Sequence, residues 1–514
     1  MTARGERLFE GADWDFPILQ RVHDACEGIA RSELGLDVYP NQIEVITAEQ
    51  MLDAYSSVGM PLFYKHWSFG KHFAFQEASY RKGLMGLAYE IVINSSPCIS
   101  YLMEENTATM QTLVIAHAAF GHNHFFKNNY LFKQWTDADG ILDYLEFAKG
   151  YVAQCEERHG RQAVERTLDA AHALMSHGID RYPGKKKLDL RADEKRAGQR
   201  RQHEESMFND LWRTVPTGPA KSDATLTIER RRTLLGLPQE NILYFLEKTA
   251  PRLQPWQREL LRIVRHIAQY FYPQSQTKVM NEGTATYVHY RILNRLHEQG
   301  RISDGNFLEF LQSHTNVVFQ PEFDDPRYSG FNPYALGFAM MQDIERIVTK
   351  PQDEDREWFP DIAGSGDVMG VLREIWNNYR DESFIGQFLS PALIRRFHMF
   401  HLHDDPAESA GIKVDAIHDE RGYRRVRREL ARQYDVGFID ANIEVVDVDL
   451  AGDRRLMLRH TTVKDAQLNE ADARRVLQHL ADLWTYDVAL AEVDATDNVL
   501  KEYVLSPRTV AAVA

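Results

Sequence analysis

The chain has 514 residues, 44% hydrophobic and 26% charged, which excludes a collagen-like, disordered or disulfide-scaffold protein and leaves room for several domains. Acidic residues outnumber basic ones 75 to 60, a formal net charge of −15; that surplus repels phosphate backbones, so no nucleic-acid partner is expected. Three widely spaced cysteines, Cys26, Cys98 and Cys155, form no CxxC pair and suit a reducing compartment.

The opening MTARGERLFEGADWDFP has no apolar signal region, and no apolar run is long enough for a membrane span, so a cytoplasmic location is expected. Residues 8–58 carry helix-like apolar spacing (Phe16, Leu19, Val22, Ala25, Ile29), followed by an irregular aromatic stretch at 61–75. The runs EIVIN and CISYL, separated by Ser-Ser-Pro, predict a β-hairpin. Asn106–Thr107 then offers an N-cap for a helix running through ATMQTLVIAHAAFGHNHFF. Two further helices are predicted over 137–178. Residues 184–206 break the pattern with many Lys and Arg among interleaved acids, which predicts an exposed charged segment. Long amphipathic helices return over 237–350, and Pro and Asp at 403–406 mark a boundary. Beyond it the order is α-β-β-α-β, with helices at 422–434 and 470–484 and strands at 443–449, 455–461 and 488–493. The expected fold is a mostly α N-terminal body (residues 1–405) with a small β-hairpin, admitting a zincin-like site, and a C-terminal α+β domain (residues 411–514).

Among 20 histidines, the constellation His117-Ala-Ala-Phe-Gly-His122-Asn-His124 stands out on the helix after the hairpin. Metal ligation from one helix wants two imidazoles on one face, usually at i and i+4. Here the spacing is i, i+5, roughly 140° apart on a helix of about 3.6 residues per turn. A π-bulge or kink at Gly121 would bring the rings together, and such bulges concentrate at functional sites. The competing reading is a set of buried histidines hydrogen-bonded within a polar core. A second segment, Met280-Asn281-Glu282-Gly283-Thr284-Ala285-Thr286-Tyr287-Val288-His289, carries a glutamate able to supply a third ligand from a later helix. The expected metal ligands are therefore His117, His122 and Glu282, holding zinc or another divalent cation. Position 118 is alanine, where HExxH enzymes carry their general base. Glu104 and above all Glu105, at the hairpin exit, are the nearest substitutes in sequence, and His289 is the candidate acid or transition-state donor. The leading expectation is a metal-dependent hydrolase of peptidase or amidase type.

Long stretches also resemble the SpoVR family (stage V sporulation protein R). They are HWSFGKHF (66–73), AYEIVINSSPCISYLMEENT (88–107), HAAFGHNHFFKNNYLF (117–132), DYLEFAKGYVAQCEERHG (143–160), RHIAQYFYPQSQTKVMNEGTATYVHY (265–290) and NPYALGF (332–338). The C-terminal GDRRLMLRH and HLADLWTYDVAL agree as well. Thr284 stands where the family usually has tryptophan, a change of pocket shape outside the ligand set. The resemblance implies a link to the spore cortex, the cell envelope or stress physiology. It also implies association with a PrkA-like serine kinase and a von Willebrand-type partner protein. It brings no catalytic residues. The alternative to hydrolysis is therefore a non-enzymatic regulatory or scaffold partner of such a kinase complex.

Overall fold

The structure, a computed structural model, describes residues 6–56, 60, 62–68, 71, 75, 90–181, 235–400, 402–404, 412–414, 419–450, 452–462 and 467–508; the charged segment 184–206 lies outside them. In chain order, the elements that matter here begin with α1 (Phe16–Ser32), β1 (Asn41–Ile46), α2 (Ala48–Ser56), β2 (Glu90–Ile93) and β3 (Cys98–Met103). Next come α3 (Ala108–Ile115), a π-helix (Ala116–His122) and α4 (Asn123–Asn128). Then follow α5 (Ile242–Thr249), α6 (Lys278–Glu298), α7 (Asp304–Val317), α8 (Pro333–Thr349), α9 (Asp381–Phe388) and α10 (Glu420–Gln433). The C-terminal part holds β6 (Ile443–Val448), β7 (Leu456–Thr461), α11 (Glu470–Trp484), β8 (Val488–Val493) and β9 (Val499–Leu505), after a two-stranded β4–β5 ribbon (Leu402–Asp404, Ile412–Val414).

Two compact units result, one drawn from Met1–Glu165 and Gln269–Ile439, the other from Arg166–Ala268 and Asp440–Ala514. The first is mostly helical with a small three-stranded sheet. Its α1 carries the expected apolar spacing, with Leu19, Val22, Ala25 and Ile29 buried; Asp15 caps it by accepting from the Ile18 amide, and a proline lies in the first turn. The predicted hairpin is present as β2 antiparallel to β3, with Glu90 opposite Leu102. The sequence pattern did not reveal β1, which pairs parallel to β3 with Asn41 opposite Cys98 inside the stretch expected to be helical.

The core of this unit is organised around α6, whose Tyr287, Val288, Ile292 and Leu293 are fully buried. The π-helix packs on one side of it and α8 on another, both at backbone range. A Cβ on Gly121 would lie 2.5 Å from Ala285 Cα, and one on Gly283 would lie 2.6 Å from Gly337 Cα. Only glycine allows such approach. Helix α10 adds Tyr423, Val426 and Leu430 to the same core, so it belongs to the first unit rather than to the C-terminal sheet.

The second unit holds a four-stranded mixed sheet in the order β6-β7-β8-β9 with one helix, α11, between the parallel pair β7 and β8. β9, antiparallel to β8, extends the predicted order by one strand. Phe245 of α5 stacks on Trp484 at 6.0 Å between centroids, and Gln239 bridges to Val445 of β6. No helix among the described residues is long and apolar enough to cross a membrane.

Candidate metal centre

The histidine helix is held from both ends. Thr107 caps α3 by accepting from the Met110 amide, and every residue from Ala108 to Phe126 is buried. At the far end the Asn123 side chain accepts from the Tyr39 amide at 2.8 Å and donates to the Tyr39 carbonyl at 3.0 Å. Between these anchors, residues 116–122 wind as a π-helix. Its i→i+5 hydrogen bonding places residue i+5 one turn above residue i. His117 and His122 thus share a face, their rings edge to face with centroids 4.6 Å apart. His124 turns elsewhere: its Nδ1 accepts from the Asp37 amide at 3.0 Å, and burial pushes its pKa down to about 4.

Helix α6 brings the carboxylate. Its first turn is fixed by Asp381 of α9, whose two carboxylate oxygens accept from the Val279 and Met280 amides at 2.8 Å each. One turn later, Glu282 Oε2 lies 3.5 Å from His122 Nε2 and 3.7 Å from His117 Nε2. The neighbouring Asn281 accepts from His122 Nδ1 at 2.9 Å, which leaves the His122 Nε2 lone pair facing Glu282. The Tyr334 hydroxyl, from the start of α8, donates to Glu282, and the Tyr334 ring stacks on His117.

A second carboxylate comes from the sheet. Glu90 Oε1 lies 3.6 Å from His117 Nε2. Together Glu90, His117 and His122 form a largely buried group, their ligand atoms all within 4.8 Å of one another, that could hold a metal ion. Glu105 sits apart from this group, exposed in the turn after β3 beside the equally exposed Glu104. Among the described residues, the carboxylate that reaches His117 from outside α6 is thus Glu90, which opens β2 opposite Leu102 of β3. His289 is next to the group: its Nδ1 lies 3.0 Å from His117 Nδ1, and its Nε2 lies 2.9 Å from His314 Nδ1 in α7.

Burial and charge then divide these groups. Desolvation disfavours charge on His117, but Glu282 and Glu90 outweigh it and hold its pKa above the usual histidine value. Desolvation dominates at His122, which falls to about 4, and at His289, which lies far below its ordinary value with His117 and His314 beside it. The two carboxyls part company. Burial raises Glu90 despite the neighbouring His117, whereas Glu282, equally desolvated, is drawn below its usual range by His122, His117 and the Tyr334 hydroxyl.

Glu90, Asn281, Tyr334 and His314 have no role in the sequence reading. Glu90 carried one signal: a lone carboxylate opening the otherwise apolar run EIVI.

The family model described as "SpoVR like protein" matches residues 13–439, and that described as "SpoVR-like C-terminal domain" matches residues 441–495. An Escherichia coli (strain K12) protein, "Uncharacterized protein YcgB", is 53% identical over 486 residues, covering 95% of this chain and 94% of the relative. No solved structure matches. The chain belongs to the SpoVR-like family.

Proposed function

We propose that the chain is a metal-dependent hydrolase acting on an amide bond. His117, His122 and Glu282 hold a divalent cation, with zinc the best match to two imidazoles and a carboxylate. The observation that carries this reading is a mismatch of burial and bonding. His117 Nε2 and Glu282 Oε2 are both buried and, among the described residues, lack a hydrogen-bond partner. Buried polar atoms are normally satisfied. The donor separations of 3.5–3.7 Å are close to the edge of a tetrahedron with arms of about 2.1 Å, roughly 3.4 Å. A cation among these atoms satisfies them together.

The bound ion supplies positive charge for a substrate carbonyl oxygen and acidifies a water. The chain supplies the rest. Two carboxyls displaced in opposite directions are the mark of divided acid–base labour: Glu282 stays ionised as ligand, while Glu90 is suited to take a proton from water and return it to a leaving amine. Asn281 and Tyr334 orient His122 and Glu282. β2 is an outer strand of its sheet among the described residues, and an extended peptide paired along it would pass Glu90. This favours a peptide or peptidoglycan-precursor substrate and fits a role in the envelope, the spore cortex or stress.

The test is elemental analysis of the purified full chain beside a His117→Ala, Glu282→Ala double variant and a Glu90→Gln variant. The expected result is about one divalent ion per chain in the wild type, none in the double variant and full occupancy in Glu90→Gln, with amide hydrolysis lost in the last. Equal, near-zero metal in wild type and double variant overturns the reading. Metal lost in Glu90→Gln moves Glu90 from base to ligand.

A further inference from the structure

We infer that His289 and His314 form an outer chain of imidazoles that fixes which nitrogen of His117 faces the metal, so that His289 is a positioning residue. The inference rests on the metal reading above. Its basis is proton bookkeeping along three rings. His117 Nδ1 and His289 Nδ1 are 3.0 Å apart, and His289 Nε2 and His314 Nδ1 are 2.9 Å apart. Each separation requires one proton between the two nitrogens, because facing lone pairs or facing N–H groups repel at that range.

For three neutral rings only two orders are consistent. In the inward order His314 donates to His289 and His289 donates to His117, which leaves the His117 proton on Nε2. In the outward order His117 Nδ1–H donates to His289 Nδ1 and His289 Nε2–H donates to His314 Nδ1. Only the outward order presents an Nε2 lone pair toward Glu282 and Glu90. A ligating imidazole generally donates its other N–H to a carboxylate or carbonyl, and such partners fix ring orientation and tautomer.

Here the His117 ring meets the Ala285 backbone carbonyl and, at 3.0 Å, a second imidazole with a third behind it. The surroundings hold the chain in place. His289 packs edge-on against Phe310 at 6.0 Å, while His314 lies among Tyr290 at 5.1 Å, Phe338 at 4.8 Å and Phe310 at 5.7 Å. Both histidines are buried, at 1% and 5% exposure. An imidazole acceptor adds no negative charge, so the ion and the two glutamates set the charge of the centre.

The experiment compares zinc and cobalt(II) affinity of the full-length wild type, His289→Phe and His289→Asn, with thermal melts of the metal-free proteins as the control for folding. Phenylalanine removes the acceptor at similar size, and the expected loss is about ten- to a hundredfold in affinity. The Asn Oδ1 stands near the place of Nδ1, and the expected affinity returns to within a few-fold of wild type. In zinc-loaded wild type labelled with ¹⁵N-histidine, His117 is expected to show its proton on Nδ1. Wild-type affinity in a folded His289→Phe, or equal weakness in His289→Asn, overturns the inference. So does a zinc-loaded His117 protonated on Nε2, which decides the matter even if His289→Phe does not fold. A wild type that binds no metal overturns the metal reading itself, a distinguishable outcome.

Discussion

The two helix histidines differ in readiness for a cation. His122, held near 4, is neutral at pH 7, whereas His117 in the metal-free chain keeps a proton above the ordinary histidine range because Glu282 and Glu90 overcome its burial. The sign of the pH dependence follows. Against an unfolded histidine near 6.5, the raised value stabilises the metal-free fold fully below that pH, and this contribution is lost as pH rises through the folded value. Zinc needs His117 deprotonated, so its binding displaces that proton and strengthens with pH. Thermal melts from about pH 5.5 to 8.5 should show a zinc-induced rise that grows with pH, with proton release measurable by titration calorimetry in two buffers. A rise that is flat across the range would remove His117 from the ligand set. At this scale the sequence is a partial guide. The i, i+5 histidines around Gly121 and the glutamate of the Asn-Glu-Gly turn can be read directly from it, because both signals are local. Glu90 and His314 cannot, because their relevance depends on a strand face and on a helix crossing.

Among the elements, the π-helix does most to make the site. An α-helix would set His117 and His122 roughly 140° apart, and the wider winding of residues 116–122 aligns them. Its register on α6 depends on Gly121 against Ala285. A methyl group there must push backbone, not a flexible side chain, so Gly121→Ala should cost about 1–3 kcal/mol as an overpacked core contact. It should also weaken zinc binding at least tenfold, as read by denaturant melts and metal titration on the same sample. Full metal affinity in a destabilised but folded variant would show that helix register does not set the site. The hairpin and this helix were foreseeable from β-branched runs and the Thr107 cap. β1 was not, because its residues Asn41–Ile46 are nearly all half-buried and never alternate, and its parallel partner β3 is more than fifty positions away.

At the level of the whole molecule, the second unit is assembled from two separated stretches, and the boundary between the two family models falls at its second entry point. A chain ended after Ile439 therefore removes half of a core, not an independent module. Phe245 loses Trp484, and Gln239 loses β6. Residues 235–268 of that truncated chain should become protease-sensitive while 278–396 stay protected, as limited proteolysis with mass spectrometry can show. Equal protection of both stretches would mean that Arg166–Ala268 folds without its partner.

The same interrupted layout sets an order of events during synthesis. The apolar face of α5 leaves the ribosome well before Trp484 exists, and all of Gln269–Ile439 must be made in between. At about 5–20 residues per second, that wait is on the order of ten seconds or more. Through that interval the nascent chain carries an uncovered Phe245 and its neighbours, while Glu282, His289, His314, Tyr334 and Asp381 of the histidine centre are made one after another. Newly made chains should therefore fold the body that carries the histidine centre first and close the second unit last, with chaperone demand concentrated in that gap.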